Sequence, residues 1–317
     1  MGILSVTLLT PAIGALVLAL LPGRNPNFAR GIGKLFTSIV LLLTCYLLFS
    51  YDPHDAGMQF NEYFSINPKI GSSYALGVDG LSMPLVVLTS LLTLFALLAS
   101  ADITKNVKGY NIGILLSEFG MLGVFLAQDW SLFYIFWEIT LIPLFFLIDR
   151  WGGKRRQTAS LNFVLYTMSG SVFMLVSLIA VFQYVPEHVS LMSAMTHVSE
   201  NMPKNQQIWA FIGFLIGFGV KMPIFPLHGW LPLAHVEAPS PVSILMSGIL
   251  IKMGAYGLLR VVVMLPTAAH TLQSLLVFLA LFGIIYGGLL AWRQSDLKAM
   301  VAYSSISHMG IVLLGIS

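Results

Sequence analysis

Runs of about twenty predominantly apolar residues recur along this chain, each ended by a short charged or Pro/Gly-rich break, and this repetition constrains the fold more than any other feature. Such a run crosses the roughly 30 Å hydrocarbon core of a bilayer as a helix. In a helix every backbone polar group is satisfied within the segment, as lipid requires. Spans are predicted near 3–21, 32–50, 81–99, 111–127, 131–149, 160–185, 208–230 (interrupted), 240–263, 273–292 and 298–317. The expected fold class is an all-α polytopic membrane protein with about ten transmembrane helices. Composition agrees, since 57% of the 317 residues are apolar and only 9% are Asp, Glu, Lys or Arg, against about 25% charged in soluble domains. A net charge of +3 without aromatic-basic interleaving gives no nucleic-acid surface. The single cysteine, Cys45, excludes a disulfide framework and any cysteine-ligated iron–sulfur cluster.

The first run is a retained span rather than a cleaved signal, because no basic residue precedes it and Arg24, Arg30 and Lys34 follow it. Val6 stands where a myristoylation motif wants Ser or Thr. The odd-numbered loops collect Arg24, Arg30, Lys34, Lys105, Lys108, Arg150, Lys154, Arg155, Arg156, Arg293 and Lys298, eleven of the sixteen basic residues, whereas the even loops hold Lys69, Lys204 and Arg260. That bias puts the N-terminus outside. Two loops carry structure of their own. In residues 51–80, the alternation of Tyr74, Leu76 and Val78 predicts a surface hairpin, closed by Asp79 as N-cap of the third span. In 188–200, Val189, Met192, Met195 and Val198 predict a short interfacial helix. No internal repeat is visible.

Hydropathy places Glu118, Glu138, Lys221, Lys252 and His308 at membrane depth. A charge there costs about 2.5–3.5 kcal/mol on insertion scales, so it faces a partner or a watery cavity and marks an ion or proton path. Glu138 lies mid-span, five residues before Pro143, which removes a backbone donor and can kink the helix; the alternatives are a static pair or a headgroup contact. Lys221 opens Lys221-Met222-Pro223-Ile224-Phe225-Pro226-Leu227-His228-Gly229-Trp230-Leu231-Pro232. Three prolines so close cannot share one unbroken helix. The segment is expected to be a discontinuous helix of the kind that exposes helix ends to an ion, with a re-entrant turn as the plainer alternative. Lys252 stands among Gly248, Gly254, Ala255 and Gly257, small residues that permit close packing. His228 and His235 follow the break, and the hydroxyls of Ser304, Ser305 and Ser307 surround His308; each histidine is a relay candidate or a packing residue. A Glu138–Lys221 pair that forms and breaks would change the proton affinity of a third group such as Lys252. No metal site is expected, since no histidine pair has ligand spacing beside a carboxylate. Lys154-Arg155-Arg156 is expected to be a positive-inside anchor, and Asp296 with Lys298 a helix-start pair.

Several stretches carry a resemblance: Val78-Asp79-Gly80-Leu81-Ser82, Phe136-Trp137-Glu138, Leu141-Ile142-Pro143, Lys221 through Pro232, Ala234-His235, Lys252-Met253-Gly254-Ala255-Tyr256-Gly257-Leu258 and Asp296 through Gly310. Together they resemble the antiporter-like membrane subunits of respiratory complex I and its photosynthetic relatives, a family shared with multisubunit Na⁺/H⁺ antiporters. The wording is most similar to the chain 4 (M or D) type, and Trp151 through Arg156 to the cyanobacterial and plastid D subunit. The resemblance implies about fourteen spans in two inverted five-helix units, each with a broken helix. It implies that Glu138 is the family's glutamate on the fifth span, Lys221 its partner on the broken seventh, Lys252 the central shuttle lysine and His308 a relay position, while quinone reduction proceeds in neighbouring subunits; His228, His235, Glu118 and Lys298 are further proton-path candidates from the residues themselves. It implies no cofactor in this chain, with quinone and NAD(P)H or ferredoxin used by partners, and neighbouring antiporter-like subunits and lipids as contacts. The expected location is a thylakoid or bacterial inner membrane, with the N-terminus on the lumenal or periplasmic side.

On this basis residues 1–110 form three N-terminal helices with the hairpin, 111–263 a first five-helix unit, and 273–317 the start of a second, in a chain that is part of a longer one. Leu233 departs from the family, which commonly has an acidic residue there. A subunit of a cation/proton antiporter and a purely structural arm piece remain alternative functions.

Overall fold

The computed structural model describes residues 2–22, 25–67, 71–185 and 189–317. Arg24, Lys69 and His188 lie outside the described residues. The chain runs α1 (Ile3–Leu20), α2 (Pro26–Ser50), β1 (Gln59–Asn67), β2 (Ser72–Val78), α3 (Ser82–Leu98), α4 (Val107–Leu126), α5 (Trp130–Ile139), α6 (Leu141–Trp151) and α7 (Arg156–Phe182). It continues through α8 (Met192–Met195), α9 (Val198–Asn201), α10 (Lys204–Lys221), α11 (Trp230–Glu237), α12 (Ser240–Leu245), a π-helical turn (Met246–Leu250), α13 (Ile251–Met264), α14 (Pro266–Thr271), α15 (Gln273–Trp292) and α16 (Leu297–Ile316). Among the described residues eight helical segments are long and apolar enough to cross a membrane, counting α5–α6 and α12–α13 as one each; α3 is shorter but equally apolar. Helix α10 begins with Lys204, Asn205, Gln206 and Gln207, which dilutes its apolar character. Large apolar side chains stand exposed along α1, α2, α7, α15 and α16, as lipid-facing surfaces require. The chain is an integral, multi-pass membrane protein.

The structure divides into two compact units, 1–66 with 73–156 and 238–249, and 67–72 with 157–237 and 250–317. In the first, α4 is the central helix, buried along most of its length and packed against α1, α2, α3, α5 and α6. The predicted hairpin is present, although β2 does not follow the simple alternation. Residues 75–78 are all buried, because the far face of β2 meets the start of α5. There Gln128 donates its backbone N–H to Ala75 O at 2.8 Å and its side-chain amide to Gly77 O at 3.1 Å. Asp129 joins the two elements. One carboxylate oxygen caps α5 by accepting from Ser131 N and Leu132 N, and the other accepts from Ser73 N and Ser73 Oγ at 3.0 and 2.8 Å. Asp79 closes the hairpin in a reciprocal box: its side chain accepts from Ser82 N, while its own N–H donates to Ser82 Oγ.

In the second unit, α7 and α10 touch backbone to backbone: a Cβ on Gly217 would lie 2.9 Å from Gly170 O, the close approach that packs helices in lipid. The expected interfacial helix is two single turns, α8 and α9, broken at Thr196 and His197. Met192, Met195 and Val198 are buried as their spacing implied.

Replacing Asp129 by Ala orphans four donors, two of them on the α5 backbone, and should cost about 3 kcal/mol or more, read as a lowered thermal unfolding midpoint in detergent. At the hairpin's other end Glu62 accepts from Gly2 N, Leu4 N and Ser5 N and Ser5 Oγ pairs with Tyr74 Oη at 2.9 Å. Burial pushes the Tyr74 hydroxyl above its usual 10.0, the Ser5 hydrogen bond opposes this, and the Glu62 charge adds to the rise. A raised value means that this contact is intact below pH 10 and is lost as pH climbs through the higher folded-state value. The thermal unfolding midpoint in detergent should therefore fall as pH rises above 10, and Tyr74→Phe should reduce that fall.

Candidate functional site

Glu138 sits one residue before the end of α5, where the helix is interrupted at Thr140. The interruption follows from Pro143, whose missing N–H leaves the carbonyl of Ile139 without its helical donor. Thr140 bends its hydroxyl back to Trp137 O at 2.7 Å. Glu138 is part-buried, and its Oε1 is enclosed without a hydrogen-bond partner among the described residues. Glu118 is on α4, wholly buried, with both carboxylate oxygens unpartnered among the described residues. Both glutamates belong to the first unit.

Lys221, Lys252, His228, His235, His308 and Lys298 belong to the second unit. Lys221 is the last residue of α10 and is 1% exposed. Residues 222–229 are not helical, as the prolines required. Pro223 and Pro226 fall within the break, while Pro232 sits in the first turn of α11, where a missing N–H is harmless. The backbone there is re-satisfied locally. Met222 N donates to Phe218 O at 2.7 Å and Ile224 N reaches one residue too far, to Gly219 O at 2.8 Å. That leaves Val220 O without its normal helical donor, and the indole Nε1–H of buried Trp230 takes the place at 2.7 Å. The break is thus held as a fixed shape.

Lys252 lies half-buried on α13, immediately after the π-helical turn Met246–Leu250. Such turns widen a helix and rotate the residues beyond them, and they occur often at functional sites. Gly254, two residues on, brings α13 against the end of α10: a Cβ there would lie 2.7 Å from Phe218 O and 2.8 Å from Met222 N. The two lysines therefore stand on neighbouring turns of helices in backbone contact. His228, in the break, is 8% exposed, stacked on Phe225 and edge-on to Tyr286 of α15 with ring centroids 5.7 and 5.4 Å apart; its Nδ1 has no partner among the described residues. His235 is buried on α11, with Lys298 of α16 an electrostatic neighbour. His308, by contrast, is exposed on α16 and is not brought to this group. Asp296 caps α16 by accepting from Ala299 N.

Three features were not anticipated from sequence. Glu237 is a buried carboxyl ending α11, four residues from Leu233; before Ala-Pro-Ser-Pro it reads as a loop charge. Tyr286 sits beside His228 without any motif of its own. The π turn has no sequence signature, since Ser247-Gly248 fits an ordinary helix. Among the described residues no three His, Cys, Asp or Glu side chains are grouped to hold a metal ion.

Gly254→Val should force α13 off the end of α10 at a cost of about 1–3 kcal/mol, and Trp230→Phe should orphan Val220 O at a similar cost. Both would appear as lower abundance and thermal stability of the purified protein.

Residues 127–317 match the family model described as NADH:quinone oxidoreductase/Mrp antiporter, transmembrane. The chain is 44% identical over 310 residues to NAD(P)H-quinone oxidoreductase chain 4 1 of Picosynechococcus sp., covering 97% of this chain and 58% of that protein. It thus spans about three fifths of the length of the curated relatives it matches. In structure it is similar to a chain of respiratory complex I from Thermus thermophilus with bound NADH, with a TM-score of 0.88 and 30% identity over 99% of this chain and 64% of that one. The fold also matches a chain of the Mrp complex from Dietzia sp., with a TM-score of 0.83 and 24% identity over 99% of this chain and 33% of that one.

Proposed function

Since the chain belongs to the NADH:quinone oxidoreductase/Mrp antiporter transmembrane family, we propose that it is a proton-translocating membrane-arm subunit of a type I NAD(P)H- or ferredoxin-driven quinone oxidoreductase. The observation that carries this reading is Lys221, fully enclosed at the broken end of α10, with Lys252 on the helix packed against that end. Adding a proton to one lysine raises the cost of a second positive charge beside it, so a charge displaced near Lys221 drives proton uptake or release at Lys252. Glu138, at its own helix interruption in the first unit, is a further proton-carrying carboxyl of this path. His228 and His235 pass protons along the break and Lys298 biases His235, while His308, on the outward face of α16, takes no part in this relay. No cofactor is bound by this chain. Quinone and NAD(P)H or ferredoxin are handled by other subunits, and neighbouring antiporter-like subunits flank it in the arm. The cyanobacterial relatives point to a thylakoid membrane, and the basic odd loops to an N-terminus on the lumenal side.

A cation/proton antiporter subunit is the second reading, because the matched family includes the Mrp antiporters. The 44% identity to a quinone oxidoreductase chain favours the first. Lys252→Ala and Glu138→Ala, introduced in the full-length chain in its native complex, should each abolish most proton translocation coupled to quinone reduction while the complex still assembles. Full pumping in both variants contradicts the reading. Sodium-dependent proton exchange without quinone would favour the antiporter, and reduced complex abundance alone would leave only a structural role.

A further inference from the structure

We propose that Glu118 is a second proton acceptor of the first unit, separate from Glu138, exchanging protons through water along a seam of buried hydroxyls on α2 and α3. The proposal rests on the proton-translocating reading above. A carboxyl that is wholly buried with both oxygens unpartnered among the described residues is among the least favourable groups to keep inside a membrane bundle. Such an exception calls for a proton, a water or an ion to complete it.

The direction of Glu118 separates it from Glu138. Residues of α4 that touch α5 and α6 are Gly113 against Leu147, Gly120 against Thr140 and Gly123 against Phe136. At about 100° per residue they lie roughly 140–220° around the helix from Glu118. On α5, Glu138 lies about 160–200° from the two residues that meet α4, Phe136 and Thr140. The two carboxyls thus occupy opposite outer sides of the α4–α5 pair, and neither can hand a proton directly to the other.

The surroundings of Glu118 are polar without being charged. Asn111, about 20° from Glu118 around α4, fills the space opposite Gly33 of α2, and Leu115 on the same side packs with Ala15 and Leu18 of α1 and Ala29 of α2. Helices α2 and α4 cross in the same direction, so Glu118 lies level with Val40, between Thr37 and Thr44 on the buried face of α2. Just past the end of α3, Ser100 meets Tyr110 of α4 through their hydroxyls at 3.4 Å, and counting back from there puts Thr93 of α3 within about one turn of Glu118. Thr37 donates to Gly33 O and Thr93 to Thr89 O, bonds within their own helices. Their hydroxyl oxygens keep lone pairs to accept from water or from a protonated carboxyl. A proton arriving as hydronium neutralises the Glu118 carboxylate and leaves a water; the reverse step regenerates carboxylate and hydronium.

The test is protons translocated per electron in the full-length chain within its native complex, at matched complex abundance. Glu118→Gln should lose most of the ratio, and Glu118→Asp should restore part of it. An unchanged ratio in Glu118→Gln overturns the assignment. Should that variant fail to assemble, Thr37→Val with Thr93→Val, which keeps shape and removes the hydroxyls, decides in the same assay: a lowered ratio supports the seam and an unchanged one overturns it. Loss of pumping in Lys252→Ala with retention in Glu118→Gln removes this inference alone. Retention in Lys252→Ala and Glu138→Ala removes the reading on which it rests.

Discussion

Inside a bilayer a helix can be broken only where the backbone groups it releases find partners in the protein. In this chain that constraint is met between Lys221 and Trp230. Two prolines make the break unavoidable, a displaced Ile224 N–H satisfies Gly219 O, and the Trp230 indole satisfies Val220 O. Three features of the second unit follow from this repaired gap. Lys221 is enclosed because it ends the helix there, His228 is enclosed because the break turns it toward Phe225 and Tyr286, and α13 comes close because Gly254 lets it touch the exposed end of α10.

The same economy appears in the first unit in a weaker form. Pro143 interrupts the helix that carries Glu138, and beside the interruption the Thr140 hydroxyl folds back onto Trp137 O. Each buried charge named from sequence thus sits at, or one helix away from, a place where regular helical bonding fails, with Glu118 as the exception on an unbroken helix. A helix interruption supplies both room for water and unpaired dipoles, which an uninterrupted helix does not. Glu118 must be served by side-chain hydroxyls from its neighbours instead.

Much of the architecture was legible in the sequence because lipid enforces it. Length and hydropathy gave the spans, Pro223 and Pro226 gave the break, and Asp79 and Asp296 gave helix starts, each through a local rule that tertiary contacts do not override. The residues that escaped depend on distant contacts. Tyr286 matters only because α15 places it against His228; Glu237 is buried only because α11 is; and the π turn before Lys252 arises from packing rather than from any residue that disfavours an α-helix. The alternation in β2 failed for the same reason, since its second face is covered by the segment leading into α5, which the strand's own residues do not announce.

The central claim is that a lysine held at the broken end of α10 gates proton movement by charge alone. It is tested most directly by proton uptake per electron in sealed vesicles carrying the full-length complex with Lys221→Met, which keeps the side chain's length and apolar stem and removes its charge. The expected result is collapse of the proton-to-electron ratio with the complex assembled at normal abundance. A Lys221→Met complex that pumps at the wild-type ratio would contradict the claim.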